Sequence, residues 1–216
     1  MSEPEEFIEA LRSVIRTSRI ADLHEVALGE ATAALNELAA QLETAVVPGE
    51  RTQAALLTSW SGGSADAVQS FRDRIQQLGI ESGFPYSPYV GALNAIAPPI
   101  SLEIVPVGDR FELHGSHVFD AIYNGPPGGV HGGVIAGAMD ELLGSLCVVN
   151  EVAGFTGTLT VRYEALTPIA APITLRAWVD RLEGRKTIAC GTFHHGETLC
   201  ARAEGIFINT SSFAFG

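Results

Sequence analysis

Gly125-Pro126-Pro127-Gly128-Gly129-Val130-His131-Gly132-Gly133 runs directly into Val134-Ile135-Ala136-Gly137-Ala138-Met139-Asp140-Glu141-Leu142-Leu143-Gly144. The first half cannot be a regular helix or strand. Two prolines lack backbone donors, and five glycines make unusual backbone angles cheap. The second half predicts a buried helix, because apolar or small residues surround almost its whole circumference. Val134, Ala138 and Leu142 share one stripe, with Ile135, Met139 and Leu143 beside it. Asp140 and Glu141 interrupt that surface. A carboxylate inside an apolar helix costs several kcal/mol of desolvation unless it is paired or useful, so this is where chemistry is expected.

The chain of 216 residues has room for one large domain, or for a smaller one with an extension. A hydrophobic content of 46% with 18% charged residues describes a globular chain. Its net charge of −12 argues against nucleic acid, whose binding rests on Lys and Arg neutralising phosphates. Cys147, Cys190 and Cys200 are odd in number and lack metal-ligand spacing, so buried free thiols are expected. The start, Met1-Ser2-Glu3-Pro4-Glu5-Glu6, has neither a basic region nor a long apolar run, and no membrane span is read. A cytoplasmic location is the default expectation.

Working outward, residues 5–47 are helical in character. Phe7, Ile8, Leu11, Val14 and Ile15 follow helical spacing, and Leu28, Leu35 and Leu42 recur every seven residues. That seam is expected to pack on the protein's own core, with a second subunit as the alternative. Val47-Pro48-Gly49 predicts a turn, and a second helix is expected over 64–78, capped by Ser64 and stopped at Gly79. Between Gly83 and Pro99 four prolines alternate with large apolar groups, which predicts an ordered, extended connector along the surface. After Pro99 the period changes to two. A strand pair is expected around 102–107 and 111–114, joined at Gly108-Asp109. Beyond the helix come strands at 155–163, 171–182, 186–195 and 198–209, rich in Thr, Val and aromatic residues.

The central loop and helix, with the strands around them, resemble the hotdog-fold acyl-CoA thioesterases, and among them the phenylacetate-pathway thioesterase-like branch. The matching residues are Gly125-Pro126-Pro127, His131-Gly132-Gly133, Asp140 nine positions after the histidine, and Thr156, which opens Thr156-x-x-Leu159-x-Val161-x-Tyr163. The resemblance covers about 98–210. It implies an α+β hotdog domain, a long central helix wrapped by an antiparallel sheet of about six strands. The expected division is a helical extension with its connector over 1–97, the hotdog domain over 98–210 and a tail over 211–216.

The implied activity is hydrolysis of an acyl-CoA or acyl-carrier thioester, with the coenzyme A thioester as substrate and no cofactor or metal. By resemblance, the Gly132 N–H polarises the thioester carbonyl. Asp140 acts as nucleophile or as base for water, and Thr156 orients water or bonds Asp140 across a dimer interface. A helix start with free N–H groups suits an oxyanion independently of any resemblance. His131 is expected to cap or brace the loop. His131, Gly133 and Asn124 are the further candidates near the substrate, and Arg181, Arg185 and Lys186 are candidates for the coenzyme A phosphates. Val134, Ala138, Phe155 and Leu159 are expected to shape the acyl pocket, and Glu141 to be structural. The partners implied are the acyl-CoA substrate and a second copy, as a homodimer or dimer of dimers.

Other chemistries fit less well. His114 and His117 differ by three in a strand and should face opposite sides, and adjacent His194 and His195 do likewise, so no metal site is expected. There is no Gly-x-Ser-x-Gly elbow or phosphate loop, and no histidine follows Asp140 within the helix as a hydratase pairing would need. The rival reading is a hotdog module that binds acyl thioesters without cleaving them, as a regulatory or interaction protein.

Overall fold

A computed structural model describes residues 2–46, 75, 79–152 and 154–209. Two N-terminal helices, α1 (Glu3–Ile20) and α2 (Leu28–Glu43), precede a helical turn at Ile80–Gly83. Strands β1 (Leu102–Val107) and β2 (Arg110–Val118) follow, and a 3-10 turn at Ala121–Tyr123 leads into the central helix, Gly132–Val149. Strands β3 (Phe155–Tyr163), β4 (Pro172–Glu183), β5 (Lys186–His195) and β6 (Thr198–Ile208) complete the chain. The six strands form one antiparallel sheet in the order β1-β2-β4-β5-β6-β3. The hotdog architecture expected from the sequence is therefore present, with β1 and β3 as the two edges.

Burial explains why the elements sit as they do. On β4, Ile173, Leu175 and Ala177 alternate with exposed neighbours, so one face meets the central helix and the other meets water. The helix answers with Ile135, Ala138, Met139, Leu142, Leu143, Leu146 and Cys147, all buried. It is the one helix among the described residues long and apolar enough to cross a bilayer, and its apolarity is that of a core helix half covered by sheet. Its far end is tied down by Asn150. The Asn150 side-chain amide donates to the carbonyls of Phe111 (2.9 Å) and Leu146 (3.0 Å), and its oxygen accepts from the Phe111 N–H (2.9 Å). The β1–β2 turn places Gly108 at φ 63°, a region that costs other residues free energy.

Several expectations need correction. The stretch 5–47 is two helices, broken between Ile20 and Leu28. The leucine seam does not pack on the protein's own core: α2 buries no residue, and Leu28, Leu35 and Leu42 are 40%, 47% and 47% exposed. A seven-residue repeat specifies a stripe without specifying what covers it. The connector is ordered, but it is a succession of turns rather than an extended strand on the surface. Phe84, Val90, Ala97 and Ile100 are buried, because so much apolar side chain gains more from the core than from water. Of the three thiols, Cys147 and Cys200 are buried and Cys190 is half-buried, all free. The turn at 47–49, the helix at 64–78 apart from Ile75, and the tail at 211–216 lie outside the described residues.

His114 and His117 do face opposite sides of β2. His114 Nε2 meets Glu112 Oε2 at 2.8 Å, beside a two-point Arg176–Glu112 pair at 2.8 and 3.0 Å, and these partners hold the Glu112 carboxyl below its ordinary range. His117 packs edge-on against buried Phe119, with ring centroids 4.8 Å apart. Burial lowers its pKa from 6.5 to about 4, with Asp120 opposing the shift. Between those values the unfolded chain binds a proton that the folded chain refuses. Stability is therefore lost as pH falls through this window, at most about 1.4 kcal/mol per pH unit. Thermal melts between pH 7 and 4.5 should show a smaller loss for His117→Asn than for the wild type. Equal losses would show that His117 does not govern this part of the profile.

Candidate functional site

The glycine-proline loop folds back on itself before it delivers the helix. The Gly125 N–H bonds the Gly129 carbonyl (2.8 Å) and the Gly129 N–H bonds the Pro126 carbonyl (2.9 Å), while Asn124 and Val130 form an isolated bridge. Buried Val130 then anchors the loop, its N–H on the Thr167 carbonyl at 2.9 Å. His131 comes next, in extended conformation, as the helix N-cap. Its Nδ1 accepts from the Gly133 N–H at 3.0 Å, and its carbonyl accepts from Val134 and Ile135 at 2.9 and 3.2 Å. Three of the first four helical donors are thereby used. The Gly132 N–H is the one left without an acceptor among the described residues, at the positive end of the helix dipole. Its own carbonyl is pinned by the Tyr163 hydroxyl at 2.8 Å, which fixes the first turn against β3.

Asp140 stands eight residues on, about 12 Å along the axis at 1.5 Å per residue. It meets the start of β3, where the Thr156 hydroxyl donates to Asp140 Oδ1 at 2.9 Å. This bond lies within one chain, not across an interface as the resemblance implied. The cause is local: the β3–β6 register slips between Thr156 and Thr158, a bulge that re-aims Thr156. Glu141, next along, points elsewhere. It is half-buried, and burial pushes its carboxyl up; the Ser87 hydroxyl pulls it partly back, and the Asp140 charge adds to the rise.

The remaining candidates separate. Gly133 belongs to the capped turn with His131, whereas Asn124 is exposed in the loop before it. Arg181, Arg185 and Lys186 sit at the other end of the helix. The Arg185 carbonyl accepts from Asn209, and neighbouring Thr187 bonds the carbonyl of Val152, just past Val149 where the helix ends. Within one chain the length of the helix, about 26 Å from Gly132 to Val149, separates them from Gly132. Arg181 is also engaged by two carboxylates, Asp180 (2.5 Å) and Glu183 (2.6 Å), which raise its pKa further. Of the expected pocket residues, Ala138 is buried toward the sheet, Val134 and Leu159 pack against the core, and Phe155 is 59% exposed. Among the described residues no cluster of three or more His, Cys, Asp or Glu side chains is placed to hold a metal ion.

Two groups went unassigned in the sequence. Tyr163 was visible as the last residue of the Thr156-x-x-Leu159-x-Val161-x-Tyr163 pattern, but its bond to Gly132 was not. Tyr89, from the connector, lies against Gly137 so closely that a methyl group at Gly137 would collide with the phenol oxygen. Burial raises the Tyr89 pKa, and the Glu141 and Asp140 charges raise it further.

No family model matches the chain. It is 29% identical over 160 residues to human acyl-coenzyme A thioesterase THEM5, a match over 66% of this chain and 61% of that protein. It is 35% identical over 86 residues to the bovine acyl-coenzyme A thioesterase THEM4, over 39% of this chain and 35% of the relative. The chain thus spans about three-fifths of one relative and about a third of the other. Among solved structures, a thioesterase superfamily protein superposes with a TM-score of 0.78 at 27% identity, covering 96% of this chain and 91% of its own. The six-stranded sheet, the wrapped helix and this likeness along nearly its whole length give the chain the hotdog fold, and the chain is similar to the thioesterase superfamily proteins that share it.

Proposed function

We propose that the protein hydrolyses an acyl-CoA thioester to the free acid and coenzyme A, with water as the second substrate. The observation that carries this reading is the Thr156–Asp140 hydrogen bond, a carboxylate held on the open face of an otherwise apolar helix whose first N–H is unspent. Binding alone has no need for a carboxylate there. The similarity to two acyl-coenzyme A thioesterases supports the same substrate class.

The chemistry follows from the donors. Thr156 occupies Oδ1 of Asp140, which leaves Oδ2 to take a proton from water. The water oxygen then bonds the thioester carbon, the C–S bond breaks, and the proton goes to the leaving thiolate. The Gly132 N–H stabilises the oxyanion that forms on the way, a donor typically worth about 2.7–4 kcal/mol. A single carbonyl cannot meet Gly132 and Asp140 of the same chain, about 12 Å apart along the axis. The reading therefore pairs Gly132 of one copy with Asp140 of another, in a homodimer. Strand β3 supports such pairing: it is an edge strand of nine residues, mostly exposed, and long open edges call for a partner.

Asp140→Asn should lower kcat for acyl-CoA hydrolysis by about 10²–10⁴-fold while the protein stays folded, read as free thiol release. Unchanged turnover would remove Asp140 from the mechanism, and a wild type that binds acyl-CoA but never cleaves it would make the protein a binding module. A second test addresses the shared site. Gly132→Pro removes only the N–H, because proline suits the first helical position and a Cβ there makes ordinary contact with the Tyr163 ring at 3.5 Å. Unfolding and refolding the Gly132→Pro and Asp140→Asn chains together should restore about a quarter of wild-type activity, since half the dimers are mixed and each holds one intact site. No recovery in mixed dimers would show that each site lies within one chain.

A further inference from the structure

The connector before β1 touches the central helix at the carboxylates, and its geometry is fixed residue by residue. Ser87 Oγ accepts from the N–H groups of Tyr89 and Val90, both at 3.2 Å, while the Tyr89 carbonyl accepts from Ile100 at 3.0 Å. Tyr89 is thus bonded on both sides of its Cα. Fully buried Ser87 also bonds Glu141, and Phe84 and Val90 are buried beside it. From outside, α1 clamps the same segment. Arg12 Nη2 donates to the carbonyls of Gly91, Ala92 and Asn94 at 2.9, 3.0 and 2.9 Å, from a side chain only 13% exposed. These bonds fix the backbone at Tyr89, and its phenol then lies against Gly137.

That place is Gly137, one turn before Asp140 and Glu141 on the helix. A thioester carbon beside Asp140 has two ways to extend its acyl chain. On the Thr156 side lies exposed strand, with Thr156 and Thr158 open to water. On the Gly137 side the ground is closed at Gly137 by the Tyr89 phenol, which fills the space a side chain there would take and packs against the buried cluster that includes Phe84 and Val90. An acyl group gains by leaving water, so it runs toward the phenol. The bulky, charged coenzyme A half stays outside.

We propose that Tyr89 is a specificity-determining residue of the site, the wall against which the acyl group ends, and that the N-terminal extension thereby selects acyl size. The proposal rests on the thioester reading above, and it gives the extension a role in that reaction. The ring acts by its bulk, so the hydroxyl is dispensable.

The test compares the full-length wild type with Tyr89→Ala and Tyr89→Phe, each checked for folding by circular dichroism. Two assays run side by side: kcat/KM for hydrolysis of butyryl-, octanoyl- and dodecanoyl-CoA, and calorimetric Kd for the matching non-hydrolysable acyl thioethers. In Tyr89→Ala the preference for dodecanoyl over butyryl should rise by about 10-fold or more in both assays, given that a single methylene is worth about 10–200-fold in a fitted pocket. Tyr89→Phe should keep the wild-type preference. An unchanged chain-length preference in folded Tyr89→Ala overturns the proposal, and so does a shift in Tyr89→Phe equal to that in Tyr89→Ala. If Tyr89→Ala does not fold, Tyr89→Leu takes its place with the same expected direction and the same overturning result. A protein that hydrolyses nothing, yet shifts its thioether preference in Tyr89→Ala, keeps the wall and loses only the hydrolase reading.

Discussion

The central helix is apolar around nearly its whole circumference, and half of its residues are buried. The sheet takes the broad side through Ile135, Met139, Leu142, Leu143 and Leu146. On the uncovered side runs a strip bearing Gly133, Gly137, Asp140 and Glu141; Gly133 meets the N-cap His131, and the other three meet groups brought from elsewhere in the chain. His131 caps the start, Tyr89 fills the ground at Gly137, Thr156 holds Asp140 and Ser87 holds Glu141. Because the sheet takes the largest apolar side chains, the strip is left to display polar chemistry on a rigid element. A rigid element is also what an oxyanion donor needs, since its value depends on costing no reorganisation when charge develops.

The extension belongs to this arrangement physically. Ile80, Phe84, Val90 and Ile100 lie in the same buried cluster as Leu142, Ile173 and Phe193, so the boundary expected at residue 97 runs through shared core. The clamp by Arg12 carries this one layer further out, joining α1 to the turn that holds Tyr89. A change in α1 can reach the helix strip through three hydrogen bonds and a short, well-bonded loop.

Much of this was legible in the residues. The change from period 3.6 to period two after Pro99 marked the sheet, and the wholly apolar helix marked its core, because both patterns follow from which faces are wet. Gly132, Asp140 and Thr156 stood out because a helix start, a carboxylate among apolar residues and a spaced threonine each ask for a reason. What stayed hidden were contacts between distant segments. Nothing local in Tyr89 distinguishes it from Tyr86 three residues earlier, and Gly137 reads as an ordinary small helix residue until the ring over it is seen. The bulge at Gly157 was hidden for the same reason, since it is a property of two strands in register. The leucine seam of α2 shows the converse: a strong pattern states that a face is apolar, not what it meets.

Two adjacent carboxylates on one helix turn pose a final electrostatic question, in a chain of net charge −12 that is read as binding an anionic thioester. The arrangement answers it locally. Burial pushes the Glu141 carboxyl above its ordinary range, and the Ser87 hydroxyl keeps it bonded. Asp140 has its own donor in Thr156, so it need not be neutralised by a cation that the substrate phosphates would compete for. In the reading proposed above, the positive potential offered to a developing oxyanion comes from the Gly132 N–H and the helix start, dipoles that add no net charge. Repulsion over long distances and attraction at the reacting atom are thus compatible, because the attraction is built from backbone rather than from lysine or arginine.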